Sequence, residues 1–131
     1  AAELKDPIAL NKLGWCYHKA IGVAADSKKA VEHYRAAAEL KDPNALSHLG
    51  WCYQKGIGIA ADPAKAVEHY RVAAEMKHPR ALVNLGVCYA HGIGVDADPA
   101  KAVEHFRAAA ELKYPRALNN LGFCYENGIG V

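Results

Sequence analysis

The chain has 131 residues, 52% of them apolar and 23% charged, with a formal net charge of +2. That composition is expected of one soluble globular domain: no run reaches the roughly 18 uninterrupted apolar residues of a membrane helix, and residues 1–10 lack the basic-then-apolar layout of a signal peptide. A charge of +2 is too small for a chain whose main task is gripping phosphate backbone, and with no Thr and only Ser27 and Ser47, hydroxyl nucleophiles are scarce.

Cys16, Cys52, Cys88 and Cys124 recur every 36 residues, and the whole chain can be written at that period. Residues 1–5 end a preceding unit, 6–41, 42–77 and 78–113 are full units, and 114–131 is a half unit. The first two units share 26 of 36 residues and the second and third share 24. Such uniformity fits two origins, recent duplication or consensus design.

Seven helices are predicted, two to a unit. Residues 1–5 repeat the Ala37–Lys41 segment that closes a second helix. Helix 7–19 opens at Asp6-Pro7, where Asp caps free N–H groups and Pro is tolerated in the first turn. Ala9, Leu10, Leu13, Gly14 and Tyr17 give it an apolar face. Helix 27–41 follows Asp26-Ser27 and carries Ala30, Val31, Tyr34, Ala37 and Ala38. Helix 43–55 starts at Asp42-Pro43 and stops at Gly56-Ile57-Gly58; helix 63–77 starts at Asp62-Pro63. Helices 79–91 and 115–127 begin after His78 and Tyr114, which stand where Asp does in earlier units, so their caps should be weaker. Helix 99–113 begins at Asp98-Pro99.

The series Ala9-x-x-x-Leu13-Gly14-x-x-Tyr17, then Gly56-x-Gly58-Ile59, Asp62, Lys65-Ala66, Tyr70 and Ala73-Ala74, resembles the Sel-1-like repeats, relatives of the tetratricopeptide repeats. The match covers the whole chain in register. The resemblance implies an all-α, right-handed α/α superhelical solenoid and a non-catalytic adaptor or scaffold that binds protein segments, without cofactor. Two departures from the family pattern stand out. Ala20 replaces the glycine of Gly56, Gly92 and Gly128, and Lys41, Lys77 and Lys113 take a place where a helix-ending Gly is frequent. A left-handed conformation at any of these would cost on the order of 1 kcal/mol relative to Gly.

No catalytic constellation emerges. Each cysteine lies on or beside a helix packing face and is expected as a small buried thiol. Equivalent helices of adjacent units should lie about 8–10 Å apart, too far for the roughly 7 Å limit between bridged Cα atoms. A secreted branch of the resembled family carries paired cysteines in each repeat; this chain has one per unit, which favours a reducing compartment such as the cytoplasm. His33, His69 and His105 form a ladder beside Tyr34, Tyr70 and Phe106, expected to pack between units. No Cys-x-x-Cys or His-x-x-x-His pairing supplies a metal site. Asp26, Asp62 and Asp98 are accounted for as caps, and glycines that follow a helix rather than a strand do not make a phosphate loop.

The informative positions are those where units disagree. By the resemblance to tetratricopeptide units, six positions of each first helix line a concave groove. They are Ile8, Asn11, Lys12, Trp15, His18 and Lys19; Asn44, Ser47, His48, Trp51, Gln54 and Lys55; Arg80, Val83, Asn84, Val87, Ala90 and His91; and Arg116, Asn119, Asn120, Phe123, Glu126 and Asn127. Between the second and third units all six differ, against six of the other thirty. Exposed positions that drift are one explanation, but the outer face of the second helix is exposed and nearly constant. The other is a recognition surface. Five cations and one acid among these positions give +4, which points to an acidic peptide or protein partner, with His18, His48 and His91 adding charge below about pH 6.5. The expected partner-binding residues are Lys12, Trp15, His18, Lys19, His48, Trp51, Lys55, Arg80, Asn84, His91, Arg116, Asn120 and Phe123. Trp15 and Trp51 are read either as anchors or as core. The alternative function is a structural or engineered module with no ligand of its own. Neither nucleic acid nor membrane is an expected partner. Unit ends without polar caps imply weak head-to-tail self-association.

Overall fold

Asp-Pro steps set the chain's rhythm. A computed structural model describes residues 6–19 and 26–131. Among these residues there are seven helices and no strand: α1 (Pro7–Lys19), α2 (Ser27–Glu39), α3 (Pro43–Lys55), α4 (Pro63–Glu75), α5 (Pro79–His91), α6 (Pro99–Glu111) and α7 (Pro115–Asn127). The expectations for residues 1–5 and for Ala20 lie outside the described residues. None of the described helices is long and apolar enough to cross a membrane.

Asp26, Asp42, Asp62 and Asp98 each accept a hydrogen bond from a backbone N–H three residues on, at 3.0–3.2 Å. His78 and Tyr114 make no such bond, as their side chains predict. The even-numbered helices end two residues earlier than expected because Lys41, Lys77 and Lys113 turn left-handed, with φ of 64°, 59° and 60°. Lys41 N–H bonds to the Ala38 carbonyl and Asp42 N–H to that of Ala37, and the later units repeat the pattern. This double bond satisfies carbonyls that the helix end leaves free, which offsets the strain of a side chain at positive φ.

Neighbouring helices pack in chain order into an all-α repeat solenoid, and α3 also touches α1 and α5. The odd helices thus form the inner wall and the even helices the outer one. Within a unit the two helices meet at a glycine. Gly50 lies against the Tyr70 ring and Gly86 against Phe106, and a Cβ on either would fall within 2.6–2.8 Å of ring carbons. Between units, Gly58 carries φ 72° and its backbone rests on the Ser27 carbonyl at the start of α2, where no Cβ fits. Ala30, Ala66 and Ala102 are wholly buried beside these contacts.

The α7 face that would correspond to this seam is open. Leu118 and Tyr125 are each 54% exposed, whereas their equivalents Leu46, Leu82 and Tyr53 are buried, and nothing lies within 4 Å of a Cβ built on Gly122. Gly14 meets the Tyr34 ring in the same way, so glycine at this register position is demanded three times and free once. Gly50→Ala and Gly86→Ala are expected to destabilise the array by about 1–3 kcal/mol through overpacking. Gly122→Ala should instead stabilise it by up to about 1 kcal/mol through helix propensity. Urea unfolding of the three variants checks the sign difference.

Candidate functional site

The groove is built on the inner faces of α1, α3, α5 and α7. It contains a hydrogen-bonded chain across three units, running from Asn11 on α1 through His48 on α3 to Arg80 on α5. His48 Nδ1 lies 2.8 Å from Asn11 Oδ1, and its Nε2 lies 3.0 Å from the Arg80 guanidinium. Arg80 can only donate, so Nε2 accepts and Nδ1 carries the proton to the Asn11 carbonyl oxygen. The ring is thereby held neutral. Burial, reinforced by Arg80, pushes the His48 pKa down to about 4. The Tyr34 ring lies 4.8 Å from it, centroid to centroid, and His18 meets Trp51 edge-on at 5.2 Å.

These groups enclose a cavity of about 240 Å³ lined by Trp15, His18, Lys19, Tyr34, His48, Trp51 and Arg80. Trp15 and Trp51 are 42% and 36% exposed, so both rings stand at the groove surface and not in the core. A second cavity, of about 170 Å³, lies at the other end, lined by Val87, Ala90, His91, Phe106, Asn120, Phe123, Cys124 and Ile129. It occupies the same register two units later: Val87, Ala90, His91, Phe106, Asn120 and Phe123 are the equivalents of Trp15, His18, Lys19, Tyr34, His48 and Trp51. At the intermediate place the Tyr70 hydroxyl donates to Gln54 Oε1 at 2.8 Å.

Four consecutive segments, residues 7–42, 43–78, 79–114 and 115–131, match the Sel1 repeat. The chain belongs to the Sel1 repeat family. It is similar to a Sel1 repeat protein from Oxalobacter formigenes, with 37% identity and a TM-score of 0.86 over 97% of this chain and 52% of that one. It is also similar to a protective antigen of uropathogenic Escherichia coli strains that displays this fold, at 35% identity and TM-score 0.89, over 95% of this chain and 27% of that one. The chain thus spans about half and about a quarter of these two relatives. Helicobacter pylori cysteine-rich protein B shares the fold at 23% identity and TM-score 0.73, covering 88% of this chain and 89% of that one. A search of curated protein sequences returns no match. Sel1 repeats generally mediate protein–protein interactions and are generally non-catalytic.

All thirteen expected groove residues of this Sel1 array are at least partly accessible. Trp15, His18, Lys19, His48, Trp51 and Arg80 gather around the first cavity, and His91, Asn120 and Phe123 around the second. Lys12, Lys55, Asn84 and Arg116 line neither. Ser47 and Val83 are core residues, at 1% and 0% exposure, because their register position turns toward the helix seam once a unit lies on each side. His48 is no reserve of positive charge, since its relay and burial keep it neutral, and burial with Lys19 nearby lowers the His18 pKa as well.

The histidine ladder also differs from expectation, since it packs within units. His33, His69 and His105 stack on Tyr17, Tyr53 and Tyr89 of their own units at 5.3–5.4 Å, each donating from Nδ1 to a carbonyl one turn back. The link between units comes instead from Arg35, Arg71 and Arg107, which donate to the hydroxyls of Tyr53, Tyr89 and Tyr125. All four cysteines are free thiols. Cys52, Cys88 and Cys124 are buried, with burial pushing Cys52 and Cys88 up to about 11, whereas Cys16 is only half-buried. Among the described residues no three His, Cys, Asp or Glu side chains converge on a metal-sized site. Tyr34, a packing residue of the second helix and 2% exposed, also lines the first cavity.

The relay has a pH signature. An unfolded histidine takes up its proton near pH 6.5 and folded His48 only near 4, so stability is full above that window and falls as pH drops through it. Between pH 7 and 4.5 the loss through His48 is expected to be about 2 kcal/mol. His78, lowered by burial, acts in the same direction. His48→Asn, the residue found at 84 and 120, should flatten the dependence in urea melts at the two pH values.

Proposed function

We propose that the inner groove binds an acidic segment of a partner protein in extended or helical form. The observation that carries this reading is the first cavity: two half-exposed tryptophans stand beside Lys19 and the Arg80 guanidinium, on a wall whose variable positions sum to +4 while the chain carries only +2. Aromatic rings next to cations are the usual anchors of a binding hot spot. His48 holds Arg80 in place without competing for an anion, because the neutral ring accepts its hydrogen bond. Trp51→Ala and Arg80→Glu are each expected to weaken binding of a fluorescent oligoglutamate peptide by about 10–100-fold, the equivalent of roughly 1–3 kcal/mol, with helicity retained by circular dichroism. Native affinity should fall as NaCl rises from 50 to 500 mM. Affinity indifferent to salt and to Arg80 would place recognition elsewhere and favour a module without a ligand of its own.

A further inference from the structure

The two cavities share a register and differ in chemistry. At the first, Tyr34 and His18, which both carry polar groups, belong to the lining, and at the intermediate place Tyr70 and Gln54 satisfy one another. At the second, both members of the pair have changed together: Phe106 has no hydroxyl and Ala90 has no polar group to answer one. Val87 replaces a tryptophan in the same wall. The result is a hollow of about 170 Å³, open to the groove, whose lining is mostly apolar. Its polar members, His91 and Asn120, are accessible groove residues, and Phe123 at 59% exposure stands beside its opening.

We infer that this hollow is a subsite for one bulky apolar side chain, branched aliphatic or aromatic, of the acidic segment that the groove binds. The inference rests on the acidic-groove reading and adds to it a spacing. Directly packed helices lie about 8–10 Å apart, so with two units between them the subsites stand at least about 16–20 Å apart. Extended chain covers that in about five or six residues at roughly 3.3 Å each. The groove therefore selects a segment in which a carboxylate-rich stretch and a single large apolar residue stand five or six positions apart. A uniformly acidic segment leaves the hollow empty and forgoes the burial of its apolar surface. Lys19 and Arg80 meet the acidic stretch, and Ala90 and Phe106 set the size of the apolar residue.

The test uses the full chain and labelled synthetic peptides with four Glu residues followed, five positions on, by Leu, Phe or Ser, together with the reversed order. One order with Leu or Phe is expected to bind at least ten-fold more tightly than its Ser counterpart. Ala90→Leu fills the hollow from within: it should erase that difference and keep or raise the melting temperature. Benzene should shift the methyl resonances of Val87, Ala90 and Ile129 in the native chain, and no longer shift those of Val87 and Ile129 in Ala90→Leu. Salt-sensitive binding without preference for Leu or Phe overturns the subsite while leaving the acidic groove intact, as does a preference that survives Ala90→Leu. Unshifted methyl signals overturn it too. If no peptide binds at all, the acidic-groove reading fails and the subsite falls with it.

Discussion

An aromatic ring seated on a residue without a side chain holds each unit together. Tyr34, Tyr70 and Phe106 project from the outer helices onto Gly14, Gly50 and Gly86 of the inner ones, at distances that exclude a methyl group. This contact brings the two helix backbones close, buries a large ring and fixes how far the inner helix is rotated. The groove depends on that rotation. Trp15 and Trp51, just over a quarter of a turn from these glycines, are carried to the inner surface, and Ser47 and Val83, closer to the ring contact, are carried into the seam. A second glycine contact, Gly58 against the Ser27 carbonyl, repeats the constraint between units and sets their pitch.

Much of this was legible in the sequence because it is local. Asp before Pro, glycine after the apolar run and a period of 36 residues fix where helices begin, and every inner helix has the predicted bounds. The ends of the outer helices were less legible. Lys41 has good helix propensity, and only the paired bonds at Ala37 and Ala38 make its left-handed turn worthwhile.

What the sequence could not display was pairing across units. Asn11, His48 and Arg80 occupy three different register positions, so no periodicity brings them together. Their meeting depends on the stagger of three helices. The same blindness led His33 to be assigned to the space between units, when its ring lies on Tyr17 of the preceding helix. Ser47 and Val83 share the register of the groove positions in tetratricopeptide units, and that register alone does not separate a surface position from one that turns into the seam. By contrast, the joint change from Tyr70 and Gln54 to Phe106 and Ala90 was open to view, and it becomes meaningful once the hydrogen bond is known.

The relay through His48 bears on how such an array can change over time. Repeat chains lengthen and diversify by copying or exchanging whole units, and a unit whose contacts are all repeated can be moved without loss. Here unit two holds a histidine whose proton is accepted by unit one and whose lone pair is filled by unit three. Moved alone, it would leave an asparagine and an arginine behind and arrive among neighbours that supply neither. Exchange of any one of these three units for another would break the hydrogen-bonded chain, whereas the half unit after them takes no part in it.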